Sequence, residues 1–281
     1  MDSGVPPPLA PYVAATVPYD VGLGSPGAHR GMPSTAITFV LPLDAPLDVA
    51  WADDEGSRRR DWSVVSGLHL RPAIIRHDGH QRGVQLALTP LGSRALFGVP
   101  AGELAGGLLT LDELAPALAD LPARMADAAD GCPGGEGARR AAAVVHEALT
   151  RALARRDDVA ARAELGRALA QLTGGAPATE VARDVGYSRR RLHTLVRTET
   201  GLSPTGFRRV ARFARARRLM MVAARARTGD WTLADVASRG GYADQAHFTR
   251  EFVALAGCTP TTWLREEFPF VQDPPDLDQA A

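Results

Sequence analysis

An arginine side chain can bond O6 and N7 of a guanine together, and a threonine can meet the methyl group of a thymine. The second half of this chain offers such side chains in two stretches that match one another. Val181-Ala182-x3-Gly186-Tyr187 is followed by Leu192, Val196, Gly201 and Ser203-Pro204. Val236-Ala237-x3-Gly241-Tyr242 is followed by Phe248, Phe252, Gly257 and Thr259-Pro260. The offset is 55 up to the Gly-Tyr pair and 56 beyond it, so the second copy carries one extra residue in its turn. Nine matched positions with one consistent insertion mark a duplication.

Each copy reads as a helix, a glycine turn and a second helix, with Ser188 and Asp244 as N-caps of the second helices. The motif core is Gly186 and Leu192 in the first copy, and Gly241, Phe248, Phe252 and Pro260 in the second. At helical spacing, Leu192, Leu195, Val196 and Glu199 share one side, which leaves Arg190, His193, Thr194 and Arg197 opposite. In the second copy Phe248, Phe252 and Leu255 cluster, leaving Ala246, Thr249, Arg250 and Val253. The expected base-reading set is Arg190, His193, Thr194, Gln245, Thr249 and Arg250, with Arg190 and Arg250 aimed at guanine. Phosphate contacts fall to Arg189, Arg197, Arg208, Arg212 and Arg215; His247 either approaches a phosphate or backs the turn. The segment from Pro204 to Ala226 joins the copies. As a helix it spans ~30 Å, close to the ~34 Å between successive major-groove faces of B-DNA.

Charge divides along the chain in the same sense. Residues 1–130 hold 9 Arg against 15 Asp and Glu, net −6, whereas residues 161–270 hold 18 Arg against 10, net +8. An acidic module joined to one that meets a polyanion fits that split, and the acidic half could dock on the basic one. The 281 residues are 45% hydrophobic and 23% charged, which excludes wholesale disorder and argues for two domains. Cys132 and Cys258 stand alone, against both a disulfide scaffold and a structural zinc site. The Pro-rich first 24 residues lack the pattern of a signal peptide, and no 18-residue apolar run is present; a cytoplasmic location is expected.

The elements that must position these groups follow from punctuation. Residues 1–35 read as an extended lead-in. Residues 37–41, 63–70, 73–76 and 84–89 read as strands, and His77-Asp78-Gly79-His80 as a hairpin turn. From Pro90 the pattern becomes helical, and the Gly-rich stretch 128–140 breaks it. The expected fold class is α+β: a β-rich, cupin-like N-terminal domain, then an all-α domain with two helix-turn-helix motifs joined by a long helix. The expected boundaries are 1–127 for a sensory or dimerisation domain, 128–160 for a linker and helix, 161–268 for the DNA-binding domain and 269–281 for a disordered tail. The break at 128–140 implies that the first domain folds separately.

Gly186-Tyr187-Ser188-x3-Leu192 with Gly201-Leu202-Ser203-Pro204 resembles the C-terminal domain of AraC/XylS-type transcription regulators. So does Gly241-Tyr242-x-Asp244-x2-His247-Phe248-x-Arg250-x-Phe252-x4-Gly257-x-Thr259-Pro260, over about 95 residues in all. Thr194, Val196 and Trp263 stand where that family usually has Arg, Phe and Tyr. Upstream, Gly67-Leu68-His69-x-Arg71-Pro72 and Gly83-Val84-Gln85-x3-Thr89-Pro90-Leu91-Gly92 resemble the N-terminal domain of one subgroup. The resemblance implies double-stranded DNA as partner, with RNA polymerase, a small-molecule effector and a second copy of the chain as further partners, and no cofactor. A rival reading places a small-molecule-binding or metal-dependent enzyme on the β-rich half. His69, His77 and His80 fit no standard ligand spacing, and no nucleophile–base pattern, P-loop or dinucleotide fingerprint appears; neither catalytic nor metal-binding residues are assigned.

Overall fold

In strand β3 (Ile37–Pro42), Ile37, Phe39 and Leu41 join one buried cluster while Val40 joins another, the alternation of a pleated strand with cores on both faces. The computed structural model describes residues 4–155, 163–226 and 231–266; the tail 269–281 lies outside them. One sheet has the order β1 (Val13–Gly22), β8 (His80–Leu88), β3, β6 (Val64–Ser66), β9 (Leu108–Leu109). The other runs β2 (Gly27–Gly31), β7 (Ala73–His77), β4 (Leu47–Trp51), β5 (Asp54–Asp61). Neighbouring strands are antiparallel throughout both sheets.

Three strand expectations change. The lead-in holds β1 and β2; Pro18 and Gly22 disguise β1, which is an edge strand, where the missing N–H of proline is tolerated. The charged run Asp54–Asp61 is strand β5, also at an edge, with Arg58 on Asp48 at 2.7 Å. The turn at 77–80 exists, but β7 and β8 belong to different sheets, so it is a corner rather than a hairpin.

Short helical segments follow: α1 (Pro90–Gly92), a π-helical turn (Ser93–Phe97), a 3-10 turn (Ala101–Leu104) and α2 (Leu111–Leu114). α3 (Leu121–Ala129) and α4 (Gly135–Ala154) then pack on each other, and α4 lies against β1 and β8. The Gly-rich stretch is therefore a turn between two packed helices, pinned by Arg82, which donates to the carbonyls of Ala129 and Cys132.

Seven helices complete the described chain: α5 (Ala163–Thr173), α6 (Ala178–Asp184), α7 (Arg189–Thr200), α8 (Pro204–Ala226), α9 (Leu233–Gly240), α10 (Gln245–Ala256) and α11 (Pro260–Glu266). Their apolar faces divide unequally. The core that starts on the five-stranded sheet continues through Val145, Leu169, Val181, Leu192 and Val196 to Phe207 and Val210 of α8. A second core gathers Phe213, Met220 and Met221 of α8 with Phe248, Phe252, Leu255 and Trp263. The first helix-turn-helix thus shares a core with the N-terminal sheet. The second has a core of its own, which Met32 also joins.

Candidate nucleic-acid interface and inter-sheet cavity

In the first motif, the Ser188 hydroxyl accepts from the Arg191 N–H at the start of α7, the N-cap that the sequence calls for. In the second, Asp244 accepts from the His247 N–H at 2.7 Å. Gly241 ends α9 with φ +82°, a left-handed conformation that costs glycine nothing. The inner faces are as expected, with Leu192, Phe248, Phe252 and Pro260 all buried. Aromatic contacts bind the second motif: Tyr242 to Phe248 at 5.1 Å, Phe213 to Phe252 at 5.1 Å and Phe252 to Trp263 at 6.0 Å.

Outward on α7 stand Arg189, Arg190, His193, Thr194 and Arg197, all exposed. On α10 Gln245 and Arg250 are exposed and Thr249 is half-buried. His247 lies edge-on to Tyr242 at 5.3 Å, and its Nδ1 accepts from the Ala243 N–H, so it backs the turn. The arginines of α8 turn toward protein. Arg208 donates to the Gly175 carbonyl at 2.9 Å, Arg215 to the Thr173 carbonyl at 2.6 Å, and Arg212 to Glu251 at 3.1 Å. They brace the turn after α5 and the second recognition helix.

Between the two sheets, and closed by α5 and α8, lies a cavity of about 390 Å³. Val40, Val49 and Ile75 line it from the sheets, and Leu169, Phe207 and Met221 from the helices. Arg30, Arg217 and Arg218 also line this largely apolar wall. His69 also lines it, with its ring 4.7 Å from Trp51 and its Nδ1 hydrogen-bonded to the Arg71 carbonyl. Burial pushes the His69 pKa down to about 4, so the ring is neutral at pH 7. The three histidines do not converge: His77 faces His29 at 5.8 Å, and His80 bonds Asp20. Among the described residues no group of three His, Cys, Asp or Glu could hold a metal ion, and no helix is long and apolar enough to cross a membrane.

A family model described as a helix-turn-helix domain matches residues 181–266, which span both copies of the duplicated motif. Residues 181–266 are a helix-turn-helix domain of the AraC type. Beyond this domain the likeness is one of fold. An apo single-substitution variant of ToxT from Vibrio cholerae strain SCE256 superposes with TM-score 0.52 at 10% identity, covering 89% of this chain and 97% of that one. Wild-type ToxT from the same strain, bound to an unsaturated fatty acid, gives 0.51 at 10% identity, covering 90% and 95%. No curated protein matches the chain in sequence.

The AraC-type domain is docked on the N-terminal unit at both ends. Gly102 packs against the carbonyl of Thr198, where a Cβ would clash, and Arg94 meets Glu199 at 2.9 Å. Pro72 touches the turn at Gly257, and Arg30 pairs with Glu266 at 3.4 Å. Both of these ion pairs run from an arginine of the acidic half to a glutamate of the basic one, the reverse of the docking that net charge implies. The reading faces of α7 and α10 remain exposed in this docked arrangement. Sequence reasoning passed over Arg94, Arg30 and Glu251. Arg209 and Arg212, at i and i+3 on one face of α8, are spaced to share one carboxylate, but Glu251 lies 42 and 39 residues from them and nothing local marks it as the acceptor.

Proposed function

We propose that the chain is a DNA-binding transcription regulator in which α7 and α10 enter successive major grooves. The observation that carries this reading is the pair of exposed recognition faces held on one 23-residue helix, α8. Base edges fall to Arg190, His193, Thr194, Gln245, Thr249 and Arg250, and phosphates to Arg189 and Arg197. Arg208, Arg212 and Arg215 serve chiefly as braces. Selection of duplexes from a random-sequence library by the full-length protein tests the reading. An enriched sequence should emerge, bound with a steep salt dependence. Arg250→Ala should cost roughly 1–3 kcal/mol at one base position, and Arg197→Ala should lower the salt slope by about one. Failure to enrich any sequence sinks the proposal.

The cavity is the effector site in this reading. Its volume lies in the ~300–1,000 Å³ range of ligand pockets, and its arginines suit a small apolar acid of the fatty-acid kind. Such a ligand would press directly on α8, and so on both recognition helices. An unsaturated fatty acid should change DNA affinity in wild type and much less in Arg217→Ala; equal responses would remove the effector from the cavity. RNA polymerase and a second copy of the chain are the further partners that this reading calls for, and it assigns no catalytic step.

A further inference from the structure

We propose that Glu251 is a positioning residue, which sets the rotation of α10 about its own axis and thereby the base discrimination that Arg250 delivers. The inference rests on the reading above that α10 enters a major groove. Both carboxylate oxygens of Glu251 are gripped: Oε1 accepts from Arg209 Nε at 2.9 Å and Oε2 from Arg212 Nη2 at 3.1 Å. The three side chains are mostly buried, at 18%, 32% and 31% exposure for Glu251, Arg209 and Arg212, so solvent screens the pairs only in part. The Arg212 guanidinium also lies 4.6 Å from the centre of the Tyr242 ring. Tyr242 belongs to the Gly-Tyr turn that delivers the chain into α10. One pair of guanidinium groups therefore holds both the helix and the turn that aims it.

Two points of attachment on one carboxylate do what a single contact cannot. One contact fixes a distance, whereas two fix an orientation as well. The residue before Glu251 is Arg250, which faces outward. A turn of the helix by ~20° moves a point at its outer radius of ~5–6 Å through about 2 Å. That is several times the ~0.5 Å window of an N–H···O bond, so the aim of Arg250 depends on the clamp. A carboxylate beside a phosphate-facing surface opposes DNA binding in general, so its contribution must come through geometry. In the first copy the matching position is Leu195, which packs against the shared apolar core. The α7 helix is set elsewhere along its length, at its C-terminal end, where Gly102 packs on Thr198 and Arg94 holds Glu199.

The test uses the full chain and the duplex that wild type enriches, rebuilt with the base pair whose discrimination Arg250→Ala relaxes changed to each of the other three. Wild type should discriminate sharply among these duplexes. Glu251→Gln should lower the best-to-worst affinity ratio at least fivefold, while affinity for an unrelated duplex stays level or rises. Arg212→Lys keeps the charge but weakens the two-point grip, and should fall between them. A Glu251→Gln protein that keeps the wild-type ratio, or loses affinity evenly on every duplex, overturns the proposal. If Glu251→Gln does not fold, Arg212→Lys decides, and a retained ratio there overturns it equally. Failure of wild type to enrich any sequence would remove the DNA reading itself. Enrichment by wild type with unchanged ratios in the variants would remove only the role of Glu251.

Discussion

Leu255 and Glu199 stand 56 residues apart at the same place on the two recognition helices, and both are buried. One is a hydrocarbon inside the aromatic core of its own motif. The other is a carboxylate held by Arg94 of the N-terminal unit. The motifs keep a common backbone because turn, cap and inner-face requirements are local. They diverge where their neighbours differ, since burying a charge is tolerable only beside a partner that receives it. The first motif is thereby an extension of the N-terminal unit, and the second is close to a self-contained unit.

The largest effect that would break this contrast comes from the second core. Phe252→Ala should cost roughly 3–5 kcal/mol, and hydrogen exchange should rise in residues 231–266 while α7 stays protected. Equal loss of protection in α7 would mean that the two cores are one. Next comes acid. His69 has a folded-state pKa of about 4 against an ordinary 6.5, so the unfolded chain binds the extra proton first. Stability should therefore be intact above pH 6.5 and fall, by up to about 3 kcal/mol, as pH drops to about 4. Unfolding monitored against pH in wild type and His69→Phe checks this: the variant should lack the drop in that window. Because the first motif shares the N-terminal core, α7 should lose protection before α10 does.

A smaller effect belongs to the junction. Arg94 is 44% exposed, so solvent screening softens its loss, and Arg94→Ala should cost about 1–2 kcal/mol rather than the full penalty of a stranded charge. Glu199→Leu, which copies the second motif, should be near neutral by chemical denaturation. A large destabilisation there would show that the carboxylate does more than satisfy its neighbour. The smallest effect tests what the motifs have in common. Ser188→Ala and Asp244→Ala should each cost about 1 kcal/mol and fray the first turn of their helices by circular dichroism. A marked difference between the two would end the claim of equivalent caps.

What the sequence made legible follows the same line between local and distant causes. The duplicated motif could be read because Gly-Tyr turns, N-caps and the Phe248–Phe252 pair are set by residues within one helical turn or two. Strand β5 could not, because an edge strand needs no apolar residues and Asp54–Asp61 carries almost none. Strand β1 was hidden by Pro18 and Gly22, which only a partner strand on one side makes acceptable. The cavity left no linear signal, since each strand and helix contributes only a few of its lining residues. The inward turn of Arg208, Arg212 and Arg215 depended on acceptors some 33 to 42 residues away along the chain.

Strand β5 carries one further consequence. Each sheet of the N-terminal unit ends in strands whose unpaired backbone groups could template growth by another chain. Three ends are blunted, each differently: β5 by its charges, β9 by a length of two residues and β1 by its contact with α4; β2, whose Gly27 and Ala28 are exposed, carries the Arg30–Glu266 pair to α11 near its other end. Only the last depends on the AraC-type domain staying docked. Undocking that domain would remove this pair and leave the β2 edge open along its whole length, so one contact serves both the junction and the protection of that edge.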